Sequence, residues 1–328
     1  MELKPVDQCE VCVLVDNVSD LLSTVPPFVT GEVANLVRAG MTEERGSCFC
    51  CAQWGLSLIV TVRVGGLTRT LLFDSGPEGY GVERNGQRLR VPFGDIEAAV
   101  FSHGHWDHVG GMETALRLIT AANGGRPVPV HVNDGMFVRR AIPKPGGGLL
   151  PLGEVPSQER LAAAGGEVIS DGSPRTLLDG VFYLSGEIPR RTAYEKGMPN
   201  QVCEVEGRWE PDPWITDERW VAVRVRDLGA IVFTACSHAG VVNVLHHARE
   251  VFDPIPLYGV MGGFHLSGAA CEPIIPQTVD DMHQFGLKVI VPGHCTGWRA
   301  VQRLVRDFGE SVVVPSAVGR RYLFAAQA

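Results

Sequence analysis

The sequence predicts an α/β sandwich in which helices cover the outer faces of two packed sheets. Three observations carry this. Short runs rich in Val, Ile and Leu end at or just before Gly, Asp or His. The early runs follow one another without helices, and the later ones alternate with helical patterns. No repeat, low-complexity tract or linker divides the chain, so residues 1–328 are expected to form one domain.

In chain order, the strand-like runs are Val11–Asp16, Ser57–Val64, Arg69–Phe73, Ala98–Ser102, Val128–Val132, Val181–Ser185, Trp220–Val225, Ala230–Thr234, Leu257–Met261, Lys288–Val291 and Val312–Val314. Apolar residues recur at three- and four-residue steps in Gly111–Ala122, Ser157–Ala164, Val242–Val251, Pro276–Phe285 and Trp298–Phe308, which predicts five helices. Lys144–Gly153 and Pro189–Asp217, rich in Pro, Gly and polar residues, read as long loops, and residues 189–217 as a lid or substrate loop.

With 29 Lys and Arg against 37 Asp and Glu the chain carries a net charge of -8, which disfavours a broad basic face for nucleic acid. No run approaches the roughly 18 apolar residues of a membrane span, and the acidic start lacks the pattern of a signal peptide. The expected setting is cytoplasmic, with a small-molecule partner and neither nucleic acid nor membrane. Nine scattered Cys read as reduced thiols. Cys9-x-x-Cys12 and the Cys48/Cys50/Cys51 cluster lack the two spaced pairs of a zinc ribbon, and incidental or buried thiols are the simpler reading.

The chemistry is concentrated in Phe101-Ser-His103-Gly-His105-Trp-Asp107-His108-Val-Gly-Gly111, where a predicted strand gives way to a helix. Three imidazoles and a carboxylate in so short a turn are costly to bury unpaired, so they call for a metal or for solvent. In an extended segment His103 and His105 point to one side and can reach one ion, and the turn swings Asp107 and His108 toward a second.

This run, with Asp74 at a preceding strand end, resembles the metallo-β-lactamase superfamily. Further matches are Val15-Asp16-Asn17, Gly55-Leu-Ser57, Ser185-Gly-Glu187-Ile-Pro-Arg190, Ala235-Cys-Ser-His238-Ala-Gly240, Gly262-Gly-Phe-His265-Leu and Pro292-Gly-His294-Cys-Thr-Gly297. They resemble the dihydropteroate-synthase-like branch, named after the 7,8-dihydropterin-6-methyl-4-(ribofuranosyl)aminobenzene 5'-phosphate synthase. The resemblance spans about Val11 to Gly297 and implies a four-layer αββα metallo-β-lactamase-like sandwich. Two departures stand out: Gln53-Trp54 where many members have Glu-His, and Thr-Ala235-Cys where Thr-Gly-Cys is commoner.

The resemblance implies a centre of two divalent ions, zinc foremost, with Mn2+ or Fe2+ as alternatives. His103, His105, Asp107, His108, His238 and His294 are the expected ligands, and Asp107 and His238 also the expected catalytic residues. His131, His246, His247 and His283 fall outside strand-end turns and read as exposed or packed imidazoles. No Gly-Asp appears where the superfamily's bridging carboxylate would be expected. Cys236 is either a thiolate ligand or a small buried residue behind the site. Asp74 is expected to orient an imidazole or cap a strand end, and Glu187 and His265 to touch substrate or ligands. Arg190, Arg191 and Lys196 either meet an anionic or phosphorylated substrate or are solvated surface. Trp209, Trp214 and Trp220 either stack on a planar ring or anchor loops.

Three functions fit this reading. The first is a hydrolase in which Asp107 binds an ion or acts as general base. The second is a pterin–arylamine transferase or synthase of the branch type. The third is a redox or non-catalytic metal-binding protein.

Overall fold

The computed structural model describes residues 3–326. Two sheets face each other. In one, the spatial order is Gly166–Ser170, Val128–Val132, Ala98–Val100, Leu67–Phe73, Ser57–Val64, Gln8–Val15, Arg321–Ala325 and Val29–Thr30. In the other it is Arg175–Leu177, Phe182–Leu184, Val221–Val225, Gly229–Thr234, Leu257–Gly263 and Val289–Gly293, with Pro5–Val6 added beside Val221–Val225.

Period-two alternation explains the layering. Cys9, Val11 and Val13 of one strand and Leu58, Val60 and Val62 of its neighbour turn inward, against Val221, Val223, Ile231 and Phe233 of the opposite sheet. Their alternates Cys12, Leu14 and Ile59 turn outward, under Val82, Leu116, Ile119 and Leu161 of the helices Gly79–Arg88, Met112–Ala122 and Gln158–Ala163. The second sheet's outer face is covered by Val241–Phe252, Ile275–Met282 and Trp298–Phe308, through Leu245, Val279 and Leu304. The result is the expected four-layer αββα sandwich. Each fully buried Leu, Val or Phe contributes about 1.5–3 kcal/mol relative to an exposed one. Because Cys9 and Cys12 lie on opposite faces of their strand, they cannot share an ion.

The strands that matter for the site are parallel and in step. Phe73 pairs with Val100 and Val100 with His131 in the first sheet; Thr234 pairs with Gly262, and Gly263 with Gly293, in the second. Their carboxyl ends therefore finish along one edge of the sandwich, and the turns that follow them face one another. At Gly262, φ is +132° and a β-carbon would lie 1.7 Å from the Thr234 carbonyl oxygen, so only glycine allows this strand alignment.

Several elements differ from expectation. Val312–Val314 forms no strand; Val313 makes a single bridge to Ile290, and Pro315 follows. Residues 189–217 contain an antiparallel pair, Val202–Val205 with Arg208–Pro211, which joins Arg140–Pro143 and Leu149–Pro151 in a small third sheet. The glycine-rich part of 144–153 is the turn of that sheet's second hairpin. The helix Gly79–Arg88 went unpredicted because it contains Gly79, Gly81 and Gly86, poor helix formers in isolation. Packing requires them: a β-carbon at Gly86 would lie 2.5 Å from the Phe93 ring. Among the described residues no helix is long and apolar enough to cross a membrane.

Candidate metal centre

The turn after Ala98–Val100 presents His103 and His105, and the one-turn helix Trp106–Val109 presents Asp107 and His108. The turns after Gly229–Thr234 and Val289–Gly293 bring His238 and His294 to the same place. All six are nearly or fully buried. They sort into two triads with mutually close donor atoms: His103, His105 and His238, and beside them Asp107, His108 and His294. Asp74, Ser237, His265 and His294 have φ between +46° and +58°, so left-handed, strained backbone is concentrated in these turns.

The hydrogen bonds fix which ring nitrogens carry protons. Ser102 Oγ donates to Asp74 Oδ2 at 2.6 Å, so it can only accept from His103 Nδ1 at 2.8 Å. Gln201 Nε2 donates to Asp212 Oδ2 at 3.1 Å, which turns Gln201 Oε1 toward His105 Nε2 at 2.7 Å. His103 Nε2 and His105 Nδ1 are then both bare lone pairs, yet they face each other at 3.0 Å, with His238 Nε2 at 3.2 Å from the former. Lone pairs so placed repel unless a cation stands between them. Burial, reinforced by the neighbouring imidazoles, holds His103 and His238 well below the usual imidazole range, and burial with nearby Arg140 pulls His105 down to about 3. Protonation is therefore disfavoured as the source of that positive charge, and the donor set fits a divalent ion.

The second triad shows the same demand in another form. Burial lowers the His108 pKa, but the Asp107 charge and the Asp74 bond outweigh it and lift it to about 9. Without an ion, the ring keeps the proton that an ion would displace. Asp74 Oδ2 accepts from His108 Nδ1 at 2.8 Å, which aims Nε2 at Cys236 Sγ, 3.2 Å away, and toward Asp107. Burial pushes the Asp107 carboxyl up, but His108 and His294 overcome this and hold it well below the usual carboxylate range. Among the described residues neither ring nitrogen of buried His294 has a hydrogen-bond partner; its Nε2 lies 3.4 Å from Asp107 Oδ2.

Several groups brace these turns, and two of them, Glu218 and Asp217, had no sequence signal. Glu218, fully buried, accepts the backbone amides of His238 and Ala239 at 2.7 Å each. Asp217 accepts the Gly104 amide and pairs with buried Arg140, which pins the His103–His105 turn. Asp16 accepts the His294 amide. Of the residues assigned to substrate contact, His265 packs against His238, with the rings tilted and their centroids 4.3 Å apart. Glu187 is exposed and outside the cluster, and Arg191 is engaged by Glu250 on the helix Val241–Phe252. Arg190 bonds the Ile188 and Trp214 carbonyls and lies over the Trp214 ring. Lys196 lines a cavity of about 650 Å³ with Tyr194, Cys271 and Asp281. Trp220 is fully buried, whereas Trp209 and Trp214 remain partly exposed. Trp54, half exposed, stands beside His294 at a centroid distance of 5.3 Å.

A sequence profile of the metallo-β-lactamase superfamily matches residues 54–160, a stretch that includes His103, His105, Asp107 and His108. The match is to that stretch, and the fold around it is the metallo-β-lactamase fold. A metal-dependent hydrolase of the β-lactamase superfamily superposes with a TM-score of 0.69 at 20% identity, over 97% of this chain and 100% of that one. The metallo-β-lactamase fold protein YhfI from Bacillus subtilis superposes with a TM-score of 0.52 at 11% identity, over 96% and 99%. Both show the shared fold. The chain is 28% identical, over 79% of its own length and 86% of the relative's, to the 7,8-dihydropterin-6-methyl-4-(β-D-ribofuranosyl)-aminobenzene-5'-phosphate synthase of Methanocaldococcus jannaschii. An uncharacterized protein of the same archaeon is 27% identical over 77% of this chain and 88% of its own.

Proposed function

We propose that the chain is a metal-dependent hydrolase that binds two divalent ions, zinc foremost, and acts on an ester, phosphodiester or related small molecule. The carrying observation is the His103–His105 contact, two buried lone pairs 3.0 Å apart beside a third imidazole, with a second donor triad next to it. His103, His105 and His238 would hold one ion and Asp107, His108 and His294 the other. Such ions supply a nucleophile at neutral pH and stabilise developing negative charge on the substrate.

The chain's own residues do the rest. Asp107, kept ionised by its imidazole neighbours, is the group able to orient a nucleophile or take its proton as general base. Asp74 and Gln201 hold His108 and His105 with a lone pair facing inward. Of the three cations assigned to substrate contact, Lys196 is the one left to meet an anionic or phosphorylated substrate, since Arg190 and Arg191 are engaged elsewhere.

Metal analysis after dialysis, with chelation and restoration of phosphodiesterase or esterase activity, tests the reading. About two ions in the parent and depletion in His103→Ala support it; equal metal in both, or activity that survives exhaustive chelation, overturns it. A second reading, a synthase joining a dihydropterin methyl carbon to an arylamine nitrogen, is favoured by the 28% identity to the archaeal synthase. Incubation with hydroxymethyl-dihydropterin diphosphate and an aminobenzoate-type acceptor tests it, and recovery of both unreacted refutes it.

A further inference from the structure

Glu195 is buried, lies outside both triads and grips the start of the long loop from within. Its Oε1 accepts the Val242 amide at 2.9 Å, and its Oε2 accepts the Asn243 amide at 2.9 Å and the Thr192 hydroxyl at 2.8 Å. The two amides belong to the first turn of the helix Val241–Phe252, whose capping residue, Gly240, has no side chain to satisfy them. Asn243 returns the grip. Its Oδ1 accepts the Arg191 and Thr192 amides at 2.7 and 3.0 Å, and its Nδ2 donates to the Ala239 carbonyl at 2.8 Å, so one asparagine ties the loop to the turn that carries His238. On the loop's other side the Tyr194 hydroxyl donates to Asp281 Oδ2 at 2.8 Å, on the helix Ile275–Met282.

This clamp shapes a cavity. Tyr194 and Lys196, which flank Glu195, line the space of about 650 Å³ together with Gly197, Cys271 and Asp281, a volume usual for a small-molecule pocket. It adjoins the metal centre: a β-carbon at Gly197 would lie 3.6 Å from the His238 carbonyl oxygen, and Cys271 bonds the His265 ring that packs against His238. Lys196 is exposed, and among the described residues its ammonium enters no ion pair. Asp281 is held by Tyr194, Glu250 by Arg191 and Asp280 by Arg303.

We propose that this cavity receives the negatively charged end of the substrate, remote from the reacting bond, on Lys196, and that Glu195 is the positioning residue that locks residues 192–197 in place as its wall; this rests on the hydrolase reading above. Hydrogen bonds to an ionised carboxylate are the stronger kind, and Glu195 accepts three of them out of water. The wall therefore stands formed before the substrate arrives, and binding is spared the cost of ordering a loop.

Trypsin digestion of the full zinc-loaded chain under native conditions tests the lock, because the loop carries the cleavage sites Arg190, Arg191 and Lys196. Glu195→Ala should be cut there at least about tenfold faster than the parent, the effect of losing hydrogen bonds to a charged group, with zinc content and cleavage elsewhere unchanged. Glu195→Gln, which keeps the volume and one acceptor, should fall between the two. Equal rates in parent and Glu195→Ala, or acceleration spread evenly over the chain, would overturn the lock. The pocket is read from KM for p-nitrophenyl hydrogen glutarate, whose carboxylate is remote from the ester, against KM for p-nitrophenyl acetate. The parent should favour the glutarate, and Lys196→Ala and Glu195→Ala should each lose about 2–5-fold of that preference with a smaller change in kcat. An undiminished preference in Lys196→Ala would overturn the anion pocket and leave the hydrolase reading intact. A parent that hydrolyses neither ester would overturn both, while the digestion still decides the lock.

Discussion

Asp74→Asn separates an orienting role for Asp74 from a strand-end cap. Asp74 is fully buried and accepts three hydrogen bonds, from Ser102 N at 2.7 Å, Ser102 Oγ at 2.6 Å and His108 Nδ1 at 2.8 Å. Asp74→Ala would strand those three donors, at a cost of about 3–5 kcal/mol, a large part of the roughly 5–15 kcal/mol that holds a domain folded. Asparagine keeps the shape, still accepts from Ser102 N, and tolerates the +58° φ of this position. It replaces Oδ2 by a donor. His108 Nδ1 must then accept, so the ring proton of the neutral imidazole moves to Nε2, the atom aimed at the second triad. Ser102 Oγ, no longer drawn to a carboxylate, is free to donate to His103 Nδ1, which moves that ring's proton to Nε2 as well. Each change blocks an inward lone pair. Losing such an outer contact weakens metal binding about 10–100-fold, or about 1.4–2.7 kcal/mol. Chelator competition with Zn2+ at fixed pH reads this directly, with thermal melts of the metal-free protein reporting stability. Parent-like metal affinity together with a lower melting temperature would show that Asp74 only caps its strand.

Ion binding should raise the melting temperature, because a ligand at 100 times its Kd adds about 2.7 kcal/mol to the folded state; coincident melts of stripped and zinc-loaded protein would contradict two buried sites. Burial, then Arg175 and Arg219, depress the His131 pKa to about 4, so the unfolded chain binds more protons below about pH 6.5. The stability His131 contributes is present above that pH and lost as pH falls toward 4. Metal-free parent should therefore lose more stability than His131→Gln between pH 7.5 and 4.5 in urea titrations, and parallel losses would refute the assignment. Gly240→Ala should destabilise by about 1–3 kcal/mol, since φ is +96° and its β-carbon would fall 2.0 Å from the Glu195 carboxyl carbon; an unchanged urea midpoint would count against it. Trp54→Ala should leave metal content intact and raise KM for a fused-ring substrate about 2–10-fold, the effect of losing about 0.5–1.5 kcal/mol of aromatic contact. An unchanged KM would remove Trp54 from the substrate's path.

The layering was legible because burial imposes period two on strands and near-four on helices. Ser57–Val64, Val128–Val132 and Trp298–Phe308 have the boundaries their patterns predict. What escaped was structure sustained by partners distant in sequence. Arg321–Ala325 is a strand because it lies antiparallel to Gln8–Val15, over 300 residues earlier, and Gly79–Arg88 is a helix because Phe93 and Gln53 leave no room for β-carbons at its glycines. The hairpin Val202–Val205 with Arg208–Pro211 is mostly exposed and broken by Glu204, Arg208 and Glu210, so it carries no regular apolar alternation to read.

The same division runs through the site. His103, His105, Asp107 and His108 are legible because one strand-to-helix turn places all four, and donor spacing in such a turn is a local property. His238 and His294 are legible by the order of strands that end on one edge. Asp74 and Asp16 are legible too, at strand ends with recognisable runs, but Gln201 and Asp217 are not, since each reaches the site from a different segment: Gln201 is 96 residues from His105 and Asp217 is 113 from Gly104. A lone Gln, Asp or Glu in a loop has no spacing to betray it, and its role exists only after both sheets have closed. Cys236 lies between the two cases. Its turn was recognisable, but its place between the triads depends on Thr234 pairing with Gly262 and Gly263 with Gly293, a register that carries the turns bearing Cys236, His265 and His294 to one depth. A one-residue slip in that register would shift the His294 turn away from the sulfur and dismantle the second triad while leaving the His103–His105 turn, which belongs to the other sheet, untouched.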